Sequence, residues 1–296
     1  MAFNIRQMST IIPSDQVPAA HTESTGGVLG FSRRPANVPV QGTVHVIQAL
    51  RFIAAGLVAL FHAHQALSHH VAGGASERAL YLFGFGAVGV HVFFVISGYI
   101  MILTTYGRPF STGSFLHRRF VRIFPVYWLL AGTYLVLHGL FLAPYHLSLS
   151  QAVGAMALFP GYGPLIIGPA WTLSYEIFFY LMFGICMALG QWRGLATLAA
   201  VFLVAIAAGA ILKPASEGLR IITNPLLLEF LAGTLIGHFD RRWRAPQWLG
   251  WITLAAALAL FAAGIAVGYD SHSRVIMWGV PSALLILSAV MIEPKQ

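Results

Sequence analysis

Residues 194–212 read GLATLAAVFLVAIAAGAIL and carry no charged side chain. An α-helix needs about 20 apolar residues of this kind to cross the hydrocarbon core of a bilayer. Runs that are long enough, or nearly so, recur along the chain with short connections between them. The others lie at 45–66, 81–105, 120–143, 151–167, 170–190, 223–239, 247–268 and 274–292. The sequence therefore predicts an all-α, polytopic integral membrane helical bundle of about nine transmembrane segments.

The composition supports this fold class and excludes several kinds of function. The chain is 58% hydrophobic and 9% charged, whereas soluble domains carry about 25% charged residues. Its net charge of +8 comes mostly from arginines in the short connections, where they set topology and meet lipid headgroups rather than nucleic acid. With Cys186 as the single cysteine, we expect no intrachain disulfide and no cysteine metal site. We also expect no other metal site and no bound cofactor.

The chain divides into a polar tail and one membrane domain. Residues 1–44 are polar and rich in Pro, Gly and Ser, which predicts a disordered N-terminal tail. Residues 45–296 form the membrane-embedded domain. The connection after the second segment is rich in arginine, whereas residues 143–150 contain no Lys or Arg. Because positive charge accumulates on the cytoplasmic side, we expect a cytoplasmic N-terminus.

The segment at 151–167 decides the topology of everything after it. If all nine segments cross the membrane, the basic run 240–244 lies on the outside. If 151–167 is re-entrant, that run and the C-terminus return to the cytoplasm. The segment is short and leads into PGYGP at 160–164, which breaks helices. We therefore favour a partial or re-entrant segment.

Arg51 and His62 are the first candidates for chemistry. Ionisable side chains are costly inside a bilayer and are functional candidates for that reason. Eleven helical positions make about three turns and roughly 16 Å of rise, so the two residues share a face, with His62 deep in the span. A neutral imidazole can accept a proton from a hydroxyl or carry an acyl group. An equally good interpretation is that His62 is structural and forms a hydrogen bond with a neighbouring helix.

Basic residues at 118–122 form the second candidate site. Arg119 and Arg122 are three positions apart and share a helix face. With Arg118 they can hold phosphate groups by bidentate pairing. The alternative, favoured by position alone, is that they set topology and bind lipid headgroups.

Carboxylates inside the apolar segments form the third candidate set. Glu176 and Glu229 must each find a partner or be protonated, and arginine or histidine would serve. Gly233 and Gly237, like Gly98, indicate close helix packing.

Four motifs follow one another along the chain: Arg51-x10-His62, FFVISGY at 93–99, RRFVRIFP at 118–125 and WTLSYE at 171–176. Their order is that seen in membrane acyltransferase family 3, and the chain most resembles its exopolysaccharide-production (ExoZ-type) acetyltransferase branch. Two later stretches, at 224–230 and 274–281, are also similar to that branch. The resemblance covers residues from about 45 to the end.

The resemblance implies a multi-pass inner-membrane enzyme that O-acetylates sugar hydroxyls of an exopolysaccharide or another surface carbohydrate. Acetyl-CoA would be the donor on the cytoplasmic side, and the acceptor a carbohydrate or lipid-linked oligosaccharide. His62 would be catalytic with Arg51 and Glu176, and the arginines would bind the donor. The residues expected to line the cavity are Tyr99, Trp171, Tyr175 and Glu229.

One departure leaves other functions open. Family members usually have ten spans, whereas this chain ends at residues 293–296, so the last helix is expected to be missing. A transporter or flippase of a lipid-linked sugar would use the same buried charges as a relay. A non-catalytic component of polysaccharide assembly would tolerate replacement of His62 and Glu176.

Overall fold

The computed structural model describes residues 32–33, 45–68, 84–141, 146–159, 165–267 and 273–293. This part of the chain is helical apart from two short strands, β1 (Ser32–Arg33) and β2 (Trp243–Arg244). The helices, numbered in chain order, are α1 (His45–Ser68), α2 (Val88–Thr105), α3 (Thr112–Phe141), α4 (Leu149–Met156), α5 (Trp171–Met187), α6 (Gln191–Leu212), α7 (Glu217–Ile222), α8 (Leu227–Arg242), α9 (Gln247–Val267) and α10 (Val280–Ile292). A π-helical turn, Val275–Gly279, precedes α10.

The predicted polytopic helical fold is confirmed. Eight helical segments of the described chain are long and apolar enough to cross a membrane: His45–Gln65, Phe85–Thr105, Thr112–Phe141, Gly168–Met187, Gln191–Leu212, Glu217–Arg242, Gln247–Val267 and Val275–Ile292. The segment expected at 151–167 contains α4, which has 8 residues and is too short to span. Residues 160–164 within it lie outside the described chain.

Both ends of the bundle meet on one face. Strand β1 pairs antiparallel with β2, which follows α8. The backbone N of Val46 lies 3.4 Å from Oε1 of Glu293, beyond the end of α10. An even number of spans brings the chain back to this face, which we call the N-terminal face. The basic run at 240–244 therefore lies on the same side as Ser32–Arg33, as expected if 151–167 does not cross. The rest of the predicted tail at 1–44 lies outside the described residues.

Helices α2 and α8 form the tightest contact of the bundle. A Cβ at Gly98 would collide with the backbone carbonyl of Phe230, and one at Gly233 with that of Val95. A Cβ at Gly237 would lie 2.9 Å from the side-chain Cβ of Ile102 and 3.1 Å from the backbone carbonyl of Tyr99. The close packing predicted for these three glycines is confirmed, because only a hydrogen at Cα lets the two backbones approach this closely.

Aromatic packing and one hydrogen bond attach the other helices to this pair. Phe230 of α8 stacks on Phe94 of α2 at 4.4 Å and on Phe179 of α5 at 4.5 Å between ring centroids. Helix α3 joins α5 through Thr112, whose hydroxyl donates to the backbone carbonyl of Gly184 at 2.8 Å. A cavity consequently lies within the membrane part of the bundle. It is surrounded by α2, α3 and α5, and by α1, which packs against α2.

Candidate active site

A cavity of about 460 Å³ lies between α1, α2, α3 and α5. Its wall is mostly apolar, as is usual for sites that bind small molecules. Two arginines, one carboxylate and three hydroxyls provide the polar part of the described wall. They are Arg51, Ser97, Arg122, Tyr127, Glu176 and Tyr180.

Glu176 is held in this wall by two hydroxyl groups. Ser97 of α2 donates from Oγ to Glu176 Oε1 at 2.9 Å. Tyr180 donates to the same oxygen, since residues four apart on α5 share a face. The Ser97 and Tyr180 hydroxyls are themselves 3.0 Å apart. The partner expected for Glu176 was an arginine or a histidine, but two neutral hydroxyls hold the carboxylate. We call Ser97, Glu176 and Tyr180 the carboxylate triad.

The arginines of α3 do not all reach the main cavity. Arg122 lines it, whereas Arg118 is exposed. Arg119 lines a second cavity of about 340 Å³ on the other side of Tyr180. Its guanidinium lies 5.2 Å from the ring centroid of Phe115 and 5.5 Å from that of Tyr180, within the range of cation–π attraction. The side chain of Tyr180 therefore separates two sites that each contain an arginine.

Arg51 and His62 lie on the same helix but do not both line the main cavity. Arg51 lines the main cavity, but His62 is not among the described residues of its wall. His62 is half-buried, its Nδ1 lies 3.2 Å from Oε1 of Gln65, and its ring meets the edge of Phe61. The shared helix face brings Arg51 to the carboxylate triad and leaves His62 about three turns away, toward the opposite face of the bundle.

The four residues expected to line the cavity lie outside its described wall. Tyr99 is buried and donates to Oδ2 of Asp240 at 3.2 Å. Trp171 and Tyr175 pack against each other and against Phe94. These aromatic side chains therefore belong to the packing between α2 and α5 and to the N-terminal end of the bundle.

Glu229 is buried in a pair with His91. Nδ1 of His91 and Oε1 of Glu229 are 2.6 Å apart, and the residues are 0% and 2% exposed. Gly279 of the π-helical turn closes over the pair, since a Cβ there would lie 2.5 Å from Oε1. The histidine partner expected for a buried carboxylate is present here, at a site separate from the cavity.

Sequence reasoning missed Tyr180 and the pairing role of Ser97. Tyr180 follows Glu176 by four positions, and that spacing was available as a signal. Ser97 was noted only within the motif FFVISGY at 93–99. Within the described chain, no three His, Cys, Asp or Glu residues are grouped so that they could hold a metal ion.

Comparison with known proteins gives one family and one relative. A family model described as "Acyltransferase domain" matches residues 44–295. The "Exopolysaccharide production protein ExoZ" of Rhizobium meliloti (strain 1021) is 34% identical over 215 residues, which cover 70% of this chain. The match spans 62% of the length of that relative. No solved structure matches the chain.

Proposed function

This chain belongs to the acyltransferase family that its sequence matches, and from that premise we propose that it is a membrane O-acetyltransferase. It transfers an acetyl group from acetyl-CoA to a sugar hydroxyl of an exopolysaccharide or another surface carbohydrate. The carbohydrate class is taken from the name of the relative, an exopolysaccharide production protein. The acceptor meets the enzyme as a carbohydrate or as a lipid-linked oligosaccharide.

The observation that carries the proposal is the carboxylate triad in the wall of the main cavity. A carboxylate that opens into an apolar cavity, fixed by two hydroxyl donors and accompanied by Arg51 and Arg122, is suited to proton transfer from a bound hydroxyl. The arginines are suited to negative charge that develops on an oxygen or sulfur atom in the transition state. A purely structural carboxylate would be expected in a closed pair such as His91 and Glu229.

The proposed reaction is a direct acyl transfer. The acceptor hydroxyl gives its proton to a base, and its oxygen attacks the thioester carbonyl. The C–O bond forms, the C–S bond breaks, and the thiolate of coenzyme A leaves and takes up a proton. Glu176 is the base in the cavity, and Arg51 stabilises the anionic intermediate.

His62 is proposed as a second catalytic group for the acceptor. It lies on the same helix as Arg51, toward the face opposite the N-terminal face. For an acceptor that enters from that side, His62 replaces Glu176 as the base of the direct transfer; in a two-step form of the reaction it accepts the acetyl group and passes it on. Either role requires that its bond with Gln65 be exchanged for contact with the acceptor or the donor.

The basic residues of α3 are proposed to bind the donor. Arg118 is exposed at the N-terminal face, and Arg122 lines the cavity four positions on. Arg119, between them, bonds the Thr104 hydroxyl at the end of α2 at 3.5 Å. Together they form a path of positive charge that can hold the diphosphate of acetyl-CoA while the thioester enters the cavity. The N-terminal face is then cytoplasmic, and the protein is a multi-pass protein of the inner membrane.

The test is complementation of cells that lack their own exopolysaccharide O-acetylase. The O-acetyl content of the polysaccharide is measured by NMR for wild type, His62→Ala, Glu176→Gln and the control Glu217→Gln, whose carboxylate is exposed. Wild type and the control should restore acetylation, and the two site variants should not, at equal membrane levels. Acetylation by His62→Ala would refute the catalytic role of His62. Acetylation by Glu176→Gln would refute the catalytic role of the carboxylate triad.

A further inference from the structure

A second polar cluster lies on the N-terminal face, outside the main cavity. His238 of α8 is buried, and its ring lies between those of Trp192 and Tyr106, at 5.5 and 6.0 Å between centroids. Arg242, one turn further along α8, places its guanidinium 5.9 Å from the centroid of Trp192. Gln191 precedes Trp192 and begins α6. We call these five residues the Trp192 cluster.

Three buried nitrogen atoms of the cluster have no hydrogen-bond partner in the described chain. They are both ring nitrogens of His238 and Nε2 of Gln191. His238 is 7% exposed. Buried polar groups are almost always satisfied, because an unpaired one loses its hydrogen bonds to water without replacement. A polar ligand bound beside Trp192 would supply partners for the ring nitrogens of His238.

The first turn of α6 gives the cluster a preference for anions. This helix of 22 residues begins after Gly190, whose φ is 87°, and no side chain caps its free N–H groups. The exposed ends of such N–H groups attract negative charge. The guanidinium of Arg242 and that of Arg193, also exposed, add two positive charges. The nearby carboxylate of Asp240 is buried and accepts a hydrogen bond from Tyr99.

Membrane anchoring explains only part of the arrangement. Trp192 is 63% exposed, and tryptophan and arginine are common at bilayer surfaces. Interfacial anchoring does not require a buried histidine with two unpaired nitrogens beside them. An exposed indole next to unpaired nitrogens, arginines and a helix N-terminus is instead typical of a site for an aromatic base that carries phosphate.

We propose that the Trp192 cluster binds the nucleotide end of the acyl-CoA donor, an inference that rests on the proposed function. The adenine stacks on Trp192, and the phosphate on its ribose contacts Arg242 and the first turn of α6. Tyr106 lies just after α2, and Met101, five positions earlier, lines the main cavity. That separation is about 8 Å of helix rise, which the pantetheine arm of the donor can bridge.

The test compares two donors that differ only in the nucleotide. The KM values of acetyl-CoA and of S-acetyl-pantetheine are measured with the full chain in vesicles of zwitterionic lipid and, in parallel, in vesicles of anionic lipid. The variants are Trp192→Ala and Arg242→Gln. The matched controls are Trp248→Ala and Arg244→Gln, a tryptophan and an arginine exposed on the same face. Equilibrium binding of radiolabelled coenzyme A to the same proteins provides a readout independent of transfer.

We expect the KM of acetyl-CoA to rise about fivefold or more in each cluster variant, because each variant loses one stacking or charged contact with the nucleotide. The KM of S-acetyl-pantetheine and kcat should not change. An equal rise for both donors, or for the controls, would overturn the proposal. So would an effect seen only in vesicles of anionic lipid, which would identify a lipid headgroup site. Coenzyme A that binds wild type but not the variants, without transfer from either donor, would support the nucleotide site and refute the proposed function.

Discussion

Replacing Tyr180 by phenylalanine removes one of the two hydroxyls that fix Glu176 and leaves the aromatic packing in place. Hydrogen bonds to charged groups contribute about 1.5–3 kcal/mol. If Glu176 must be oriented to accept the proton, the loss corresponds to roughly a 10- to 100-fold slower transfer. Ser97 remains as a donor, so activity should fall without disappearing. Initial rates of acetyl transfer by purified protein in vesicles measure the effect.

Tyr127 provides a matched control in the same cavity. Both tyrosines are 3% exposed and both line the cavity, but the Tyr127 hydroxyl donates to the backbone carbonyl of Ala155 at 2.8 Å. Tyr127→Phe should lower the free energy of unfolding by about 1 kcal/mol and keep the wild-type rate. Full activity in Tyr180→Phe, or an equal loss in Tyr127→Phe, would refute the role of the carboxylate triad.

Three further predictions concern packing, the buried pair and the donor. Gly98→Leu should abolish folding, seen as loss of a monodisperse peak in detergent size-exclusion, because its side chain would collide with the Phe230 carbonyl; a folded variant would contradict the close α2–α8 contact. Glu229→Gln should lower stability by about 3–5 kcal/mol in denaturant melts, because it breaks a buried pair, and an unchanged midpoint would argue against that pair. Arg122→Gln should raise the KM of acetyl-CoA about tenfold or more through loss of a charge-assisted contact; an unchanged KM in initial-rate assays would exclude it from donor binding.

The fold could be predicted from the sequence because apolar length alone identifies a membrane span. The segment at 151–167 is the informative exception. Its composition is apolar, but the described helix ends at Met156 and PGYGP follows at 160–164. The helix-breaking residues indicated this outcome in advance, and the pairing of β1 with β2 supports the topology that follows from it.

The candidate site could be predicted only in part, because hydropathy does not reveal how an apolar helix is rotated. Arg51, Arg122 and Glu176 were predicted and do line one cavity. Tyr99 was expected in the cavity wall and lies outside its described part. Helix α2 is mostly buried and therefore has no apolar stripe from which its rotation could be predicted. His62 shares a face with Arg51, but the extent of the cavity depends on how α3 and α5 pack. The packing of helices against one another cannot be predicted from the spacing of residues along one helix.

The most direct test of the account is transfer of a radiolabelled acetyl group from acetyl-CoA to the exopolysaccharide by the purified full chain in vesicles. Wild type should acetylate the carbohydrate, and Glu176→Gln should be slower by about 100-fold or more, the usual contribution of a general base. Equal rates for the two proteins would contradict the assignment of the cavity as the active site, and absence of transfer by wild type would contradict the proposed activity itself.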